Sequence, residues 1–280
     1  MNMPRPSFFG FLLVAPALAL VAALFLWPLG YSLVAAFTLN GEVSLLHFRK
    51  AFELYSTDIV FTLLIIGLST ALIAVLSIAI AGILTLSETG WLVAVLKQLY
   101  RWPLFIPFIV AGQCMRTFLA KNGMMNNTLV SLGVLDPSMT TSFLDWRGIV
   151  ITFVWKQAPF VILMLAGAMA SIDRSTIEAG RNLGASRLRC LIEIVLPQVG
   201  QTLLVALVLS FVTMLSVLSV PMMVAGSQPT MLTVDMAFRI NAYGDYPTAN
   251  ALGVISYGIT AIVAWIYLRH NLRQHADTGR

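Results

Sequence analysis

The chain has 280 residues, of which 59% are hydrophobic and 10% are charged, and its mean hydropathy is +0.87. Charged residues make up about a quarter of an ordinary soluble domain, so this composition excludes that class. The net charge of +5 is scattered over short connecting segments, which argues against a nucleic-acid-binding surface.

Six apolar segments are predicted to cross the membrane, because about 20 apolar residues in a helix span the roughly 30 Å hydrocarbon layer. Their coarse limits are Phe9–Phe37, Ile59–Leu86, Trp102–Leu119, Ile149–Ser171, Gly200–Val224 and Ala251–Leu268. Pro107 and Arg116 make the third the least regular. Ala17-Leu18-Ala19 resembles a signal-peptide cleavage site, but the apolar run continues to Phe37, so we expect an uncleaved anchor. The prediction is an all-α, polytopic membrane protein with a single transmembrane domain over residues 1–280.

Lys and Arg residues indicate the orientation, because they are enriched in cytoplasmic loops. With both termini in the cytoplasm, ten of them lie inside: Arg5, Lys97, Arg101, Arg174, Arg181, Arg187, Arg189, Arg269, Arg273 and Arg280. Five lie outside: Arg49, Lys50, Lys121, Arg147 and Arg239. This orientation places the connection between the fourth and fifth segments, residues 172–197, in the cytoplasm.

The 172–197 segment carries an ordered set of residues between two apolar segments. Glu178-Ala179-Gly180 is followed after three residues by Gly184, after nine more by Ile194, and after one more by Leu196-Pro197. Its Ala, Leu, Arg and Glu content favours a helix, for which Asp173 or Ser175 offers an N-cap oxygen. Ser175 and Glu178 have the spacing of a capping box.

We expect this helix to break near Gly184 into a helix–turn–helix. Ala179, Gly180 and Gly184 then form a face with almost no side chain, where another surface can approach the backbone. Pro197 lacks an N–H and suits the first turn of the helix that re-enters the membrane. The alternative is a basic amphipathic loop that lies on the lipid headgroups.

The order and spacing of these residues resemble the EAA loop of permease subunits in bacterial binding-protein-dependent ABC importers. The resemblance implies a function in the bacterial inner membrane and a set of residues that couple the chain to an ATPase: Glu178, Ala179, Gly180, Gly184, Ala185, Ile194, Leu196 and Pro197. It implies four kinds of partner: ABC ATPase subunits, a second permease (a sister chain or another copy), a periplasmic or lipoprotein solute-binding protein, and the lipid bilayer. ATP and Mg are expected on the ATPase, and no cofactor on this chain.

The solute is not readable from these residues beyond a small polar molecule. Leu183-Gly184-Ala185-Ser186 is closer to permeases for polyamines, phosphonates or metal chelates, whereas Trp155-Lys156 is closer to sugar permeases. Gly180 stands where the family more often has Ala, and its small size is expected to preserve docking.

Polar residues inside the spans are candidates for the solute pathway: Lys156, Gln157, Ser210, Thr213 and Ser216. Ionisable groups in a membrane usually face a bundle interior or water. The alternatives are a Lys156 side chain that extends to the outer headgroups or packs in the protein, and hydroxyls that serve helix packing. In the outer loops, Arg239, Tyr243, Asp245 and Tyr246 are candidate contacts for a binding protein, the alternative being plain solvated connections.

No catalytic or metal-binding pattern accompanies these features. The chain contains no G-x-x-x-x-G-K-[ST] phosphate loop and no H-E-x-x-H, and no nucleophile is paired with a base. We therefore expect a transport subunit and not an enzyme. The other transport hypothesis is a secondary transporter or channel, which is disfavoured because no acid lies deep in any predicted span.

Overall fold

The computed structural model describes residues 8–87, 89–225 and 228–278, and they are almost entirely helical. In the first half of the chain the helices are α1 (Phe8–Val21), α2 (Trp27–Phe37), α3 (Leu46–Leu86), α4 (Gly90–Leu99), α5 (Phe108–Leu119) and α6 (Met124–Ser131). In the second half they are α7 (Trp146–Ala170), α8 (Arg174–Asn182), α9 (Arg187–Cys190), α10 (Leu196–Ser216), α11 (Ser219–Val224), α12 (Leu232–Tyr243) and α13 (Tyr246–Thr278). The all-α fold predicted from the sequence is confirmed.

Within the described residues, five helical stretches are long and apolar enough to cross a membrane, and a bent pair brings the number to six. The five are Leu13–Phe37, Leu46–Leu86, Trp146–Ala170, Arg187–Ser216 and Tyr246–Tyr267. A π-helical turn, Ala22–Leu26, joins α1 to α2, and a second, Leu191–Val195, joins α9 to α10.

Three expectations about the spans were wrong in detail. The third span, expected at Trp102–Leu119, is a broken pair bent by 110°, with a 3-10 turn at Trp102–Phe105 before the break at Pro107. The fifth, expected to reach Val224, ends at Ser216, and the following residues form the separate helix α11. The second begins at Leu46, so α3 is about 60 Å long at 1.5 Å per residue and extends well beyond the hydrocarbon layer.

The chain divides into two compact units, and the single transmembrane domain stays a prediction. One unit joins the N-terminal part up to Ser56 with Asp235–Tyr257, and the other joins Thr57–Val234 with the part from Gly258 onward. The second unit contains the residues that define the 172–197 segment and the candidate pathway.

In the unit that contains Thr57–Val234, α7 is the central helix. Its apolar residues are distributed around the helix, and Phe153 and Ile162 are fully buried in a core that includes Ile66 of α3 and Met214 of α10. A second cluster, around Leu165, Leu191 and Val195, packs the end of α7 against the π-helical turn at Leu191–Val195. This cluster holds the 172–197 segment against the ends of the spans.

In the other unit, a tight β-hairpin connects α2 to α3. β1 (Thr38–Leu39) and β2 (Glu42–Val43) pair antiparallel, and Asn40 and Gly41 between them both have positive φ, of 53° and 89°. Asn-Gly is the preferred dipeptide for such a two-residue turn. The Ser32 hydroxyl donates to the Asn250 amide oxygen at 3.0 Å within the same unit.

Candidate functional site: the 172–197 segment and the buried polar groups

The 172–197 segment is a helix–turn–helix whose first helix, α8, begins at Asp173. The Asp173 carboxylate accepts from the Ser175 N–H at 3.0 Å, and these hydrogen bonds from Ser175 hold the pKa of Asp173 below its ordinary value. Asp173 is therefore the N-cap, and the capping box expected between Ser175 and Glu178 does not start the helix. Ser186 caps the next helix, α9, by accepting from the Arg189 N–H at 3.3 Å.

The turn after α8 is a Schellman motif built on Gly184. Gly184 has φ of 87°, its N–H donates to the Arg181 carbonyl at 2.9 Å, and the Ala185 N–H donates to the Gly180 carbonyl at 3.1 Å. A glycine adopts this left-handed conformation without the strain of a Cβ. The break expected near Gly184 is confirmed, and its cause is backbone geometry.

Gly180 does not belong to the small-residue face that the sequence suggested. A Cβ on Gly180 would lie 2.5 Å from Ile194 Cδ1 and 3.6 Å from Cys190 Sγ, so this glycine packs against the chain's own following turn. A Cβ on Gly184 would meet nothing within 4 Å. The surface open to a partner therefore contains Ala179 and Gly184, together with Leu183, whose side chain is 90% exposed.

Pro197 lies in the first turn of α10, as expected, directly after the π-helical turn. Since Pro197 cannot donate a hydrogen bond, the wider turn before it accommodates the missing N–H. The Gln198 side chain donates to the Ile194 carbonyl at 2.8 Å. Ile194 and Leu196 are half-buried, so Ile194 is a packing residue for Gly180 and Leu196 begins the span.

A cavity of about 620 Å³ lies between α8 and the ends of the neighbouring helices. The α8 residues that face it are spaced three or four apart and so share one face of the helix: Arg174, Ile177, Glu178 and Arg181. The rest of the wall includes the ends of α3, α4 and α7, with Lys97 and Arg101 contributing further positive charge. Glu178 thus faces this cavity, while Leu183 is exposed and lies outside its described lining.

Lys156 lies about 15 Å along α7 from its first residue, well inside this apolar helix of 25 residues. It is 6% exposed, and its Nζ donates to the Leu104 carbonyl at 3.3 Å and lies 4.9 Å from the centre of the Phe108 ring. The ammonium therefore packs inside the protein and does not extend to the headgroups. It sits at the C-terminal end of the turn before Pro107, where a positive charge is favourable.

The other pathway candidates divide between buried and helix-bonded groups. Gln157 and Ser210 are buried, at 7% and 0% exposed. Thr213 donates its hydroxyl to the Leu209 carbonyl at 2.8 Å, and Ser216 donates to the Thr213 carbonyl at 2.9 Å. These two hydroxyls bond within their own helix, as hydroxyls in membrane helices often do.

Two of the four outer-loop candidates form an ion cluster in the unit that contains Asp235–Tyr257. The Asp245 carboxylate accepts from Lys50 Nζ at 2.5 Å and lies 3.6 Å from Arg239 Nη1, and Arg239 also donates to the Tyr55 hydroxyl. Burial alone would raise the pKa of Asp245, but hydrogen bonds from Lys50 and Thr248 hold it below its ordinary value. Tyr243 remains mostly exposed, as does Tyr246.

Two groups of polar contacts in the unit that contains Thr57–Val234 were not predicted from the sequence. The Asn126 amide, 2% exposed as a residue, donates to the carbonyls of Ala120, Lys121 and Thr141 at 3.2, 2.9 and 2.8 Å.

The second group joins α3 to the start of α12. The Asp58 carboxylate accepts from the Thr230 N–H at 2.7 Å, and the Thr62 hydroxyl accepts from the Leu232 N–H at 3.0 Å. An acid near a helix N-terminus is favourable. Asp58 is buried within the long helix α3, one residue before the limit predicted for the second span, where no signal marked it.

The family model for the binding-protein-dependent transport system inner membrane component matches residues 61–274. The chain belongs to this family. The resemblance carried by the 172–197 segment is confirmed: the chain is a permease subunit of an ABC importer.

Individual relatives agree on the permease role and differ in their named solutes. The permease protein of the sulfoquinovosyl glycerol transport system of Agrobacterium fabrum is 29% identical over 174 residues, which is 60% of this chain and 56% of that protein. The spermidine/putrescine transport system permease protein PotB of Escherichia coli is 24% identical over 216 residues, which is 73% of this chain and 77% of that protein. The chain thus spans little more than half the length of the first and about three quarters of the second.

A solved structure shows the same fold along almost the whole chain. A chain of a bacterial ABC transporter involved in the import of the acidic polysaccharide alginate superposes with a TM-score of 0.80 at 21% identity, covering 95% of this chain and 96% of that one. The polytopic architecture of the ABC transporter transmembrane subunit is therefore shared.

Proposed function

We propose that the 172–197 segment is the coupling element of this permease, and that an ABC ATPase docks on its open face. The exposure of Leu183 and the empty space around Gly184 support this assignment, because an apolar residue beside an uncovered turn is suited to contact with another protein. ATP and Mg bind to that ATPase, and no catalytic role is assigned to this chain.

The proposed orientation places both chain termini and the 172–197 segment in the cytoplasm of a bacterium, with the chain crossing the inner membrane several times. The distribution of Lys and Arg between the loops supports it. A second permease, either a sister chain or a second copy, completes the pathway. A solute-binding protein docks outside, where Tyr243 and Tyr246 are the exposed members of the proposed docking residues.

The proposed mechanism is alternating access. ATP binding closes the ATPases, moves the coupling elements of the two permeases together, and tilts the spans so that the pathway opens outward. Hydrolysis resets the pathway. Lys156 fastens the broken span to α7 in this scheme, since its ammonium already bonds to the Leu104 carbonyl.

The proposed solute is a small polar molecule of the sugar, phosphonate or polyamine type. The relatives support no single choice, because one transports a sulfoquinovosyl glycerol and another spermidine or putrescine. In the described spans the buried charge on α7 is a cation, Lys156, which disfavours a polycationic solute through like-charge repulsion.

The test compares two aspartate variants at matched glycines. Gly184→Asp places a charge on the proposed docking face, and Gly133→Asp places one at the corresponding turn after α6. Both glycines have positive φ and open space around the position of a Cβ, so the cost within the chain is similar. The complex is purified through this chain and reconstituted in proteoliposomes.

The measurements are retention of the ATPase, ATP hydrolysis, and uptake of labelled spermidine, sulfoquinovosyl glycerol and an alginate oligosaccharide. We expect ATP-dependent uptake of at least one probe, and a loss of roughly tenfold or more in ATPase retention or stimulated hydrolysis for Gly184→Asp only. ATP-independent uptake that ignores Gly184→Asp would instead identify a secondary carrier or channel.

A further inference from the structure

The cavity beside α8 has a polar wall with an excess of positive charge. Among the residues that the structure describes, one acid, Glu178, and five basic side chains line it: Lys97, Arg101, Arg174, Arg181 and Arg187. They come from separate parts of the chain: Lys97 from α4, Arg101 from the turn after it, Arg174 and Arg181 from α8, and Arg187 from α9. Only the folded chain brings them together. An anion is the ligand that such a wall attracts.

The remaining wall of the same cavity is apolar and belongs to the ends of membrane-spanning helices. Leu84 of α3 and Leu163, Ala166 and Met169 of α7 line it. Leu163 is 44% exposed, so this wall is not closed off by the protein. The cavity therefore presents apolar surface and cationic surface side by side.

The position of the cavity matches the headgroup level of a bilayer. α7 ends at Ala170 and α3 ends at Leu86, and residues from both ends contribute to the wall. The adjoining helix α4 is also suited to an interface, because Trp91, Val95 and Leu99 form an exposed apolar stripe at spacing of four residues. A volume of about 620 Å³ lies within the usual range of ligand pockets.

We propose that this cavity binds an anionic phospholipid of the cytoplasmic leaflet. The phosphate lies among Lys97, Arg101 and Arg174, and an acyl chain follows the apolar wall at Leu84 and Leu163. Basic pockets between the cytoplasmic ends of membrane helices bind acidic headgroups in this way. The inference rests on the proposed function for its orientation.

The bound lipid would connect α8, which carries the proposed coupling face, to α4 and the ends of the spans. Leu183 is exposed just past the end of α8 and lies outside the described lining of the cavity, so the lipid and the ATPase would contact different residues of the 172–197 segment. The lipid would therefore strengthen the attachment of the coupling element without competing for its docking face.

The test measures lipid retention by the purified complex. The complex is incubated with vesicles of phosphatidylcholine alone or mixed with phosphatidylglycerol, re-extracted, and its bound lipid measured by native mass spectrometry. We expect selective retention of phosphatidylglycerol, reduced roughly tenfold by the double change Lys97→Gln and Arg101→Gln. Lys121→Gln, an exposed lysine in another loop, serves as the matched control and should retain lipid like the wild type.

A second variant and a phosphate control complete the lipid-retention experiment. Arg174→Gln replaces the double variant if that complex fails to assemble, and it should also weaken retention. Inorganic phosphate should not stabilise the lipid-free complex, and it should not displace phosphatidylglycerol from the lipid-loaded complex. Displacement would identify a soluble phosphate as the ligand and overturn the proposal. Equal retention by wild type and variants, or equal binding of phosphatidylcholine, would overturn it as well.

Uptake measured in the same vesicles separates this proposal from the proposed function. If uptake depends on ATP but wild type and variants retain the same amount of lipid, the lipid proposal is overturned and the proposed coupling role stands. If uptake does not require ATP, the proposed function is overturned, whether or not the complex retains phosphatidylglycerol.

Discussion

Two connecting regions of this permease, the 120–145 loop and the 172–197 segment, each contain a Schellman turn. They are held to the rest of the protein by different kinds of contact. Gly133 follows the end of α6 and Gly184 follows the end of α8, each with positive φ and the same pair of Schellman hydrogen bonds. In the 120–145 loop, side-chain and backbone polar groups hold the main chain, through Asn126 in particular. In the 172–197 segment the attachment is mainly by apolar side chains such as Ile194 and Leu191.

The difference indicates which region is built to move. Apolar side-chain contacts are non-directional, so a helix seated on them can shift by a small amount without breaking hydrogen bonds. A main chain held by several directed hydrogen bonds resists such a shift. We therefore expect the 120–145 loop to be the rigid region and the 172–197 segment to be the adjustable one, as a coupling element requires.

The largest effect is expected from adding a methyl group to Gly123. A Cβ there would lie 2.6 Å from the carbonyls of Thr117 and Phe118 and 2.8 Å from that of Ala120, all backbone atoms. Gly123→Ala should therefore lower the free energy of unfolding by about 3 kcal/mol, as other overpacking changes do. Thermal unfolding of the purified complex measures it.

The matched change in the other region is Gly180→Ala. Its Cβ would meet the far end of the Ile194 side chain, which can rotate, and alanine favours a helix by about 1 kcal/mol over glycine. We expect a net change within about 1 kcal/mol. If Gly123→Ala and Gly180→Ala lower the free energy of unfolding equally, the two regions are equally rigid. That result would contradict the expected difference between them.

Asn126→Ala should give the next largest loss, about 2 kcal/mol, because it leaves three carbonyls without their shared donor. Asn127→Ala is the matched control, since Asn127 is exposed and its side-chain amide donates to a single described carbonyl, that of Asn122, at 3.1 Å. It should cost at most about 0.5 kcal/mol. Similar unfolding midpoints for the two variants would show that Asn126 is not the main residue that holds the 120–145 loop.

The two Schellman turns should respond equally to alanine. Gly133→Ala and Gly184→Ala each place a Cβ on a left-handed residue with open space around it, at a cost of about 1 kcal/mol. If the two alanine variants are equally stable and only Gly184→Asp loses coupling, the loss must come from contact with the ATPase and not from the stability of the turn. A much larger loss of stability at Gly184 would mean that the turn itself is strained.

The smallest expected effect is a difference in acid sensitivity between two helix caps. Hydrogen bonding to Arg147 lowers the pKa of Asp145, the cap of α7, and hydrogen bonding to Ser175 lowers that of Asp173, the cap of α8. Because both native pKa values lie below the unfolded value of about 3.9, each cap is fully stabilising above that pH. The contribution is lost as the pH falls through the native pKa.

Asp145→Asn should therefore make the acid decline in unfolding temperature shallower than in the wild type. Asp173→Asn should do so to a smaller extent, because Asp145 also accepts from the Arg147 guanidinium at 2.7 Å, whereas Asp173 is held by Ser175 alone. A larger effect at Asp173 would contradict this ranking. Unfolding scans between neutral pH and about pH 3 provide the measurement.

Much of the structure of the 172–197 segment was predictable because its signals are local. The break at Gly184 follows from the glycine that a left-handed turn requires, and the entry of α10 at Pro197 follows from the missing N–H. The side that Gly180 faces was predicted wrongly, because it depends on Ile194, which lies beyond the Gly184 turn in the π-helical turn at Leu191–Val195.

The broken third span shows the same limit. Pro107 signalled an interruption, but its 110° bend and its attachment to Lys156, 52 residues from Leu104, are decided by packing between segments. Asp58 is a similar case, since its partner Thr230 lies 172 residues away. No local pattern marks a hydrogen bond between residues so far apart.

The sequence by itself determined that this protein is a helical membrane permease with an EAA-type segment, because apolar run length, loop charge and motif spacing are properties of neighbouring residues. The tertiary structure alone decided which glycine packs and which one turns, how Lys156 is used, and that basic residues from three helices meet at one cavity. These outcomes depend on the pairing of distant residues, which are brought together by the burial of the apolar helices and not by their order in the chain.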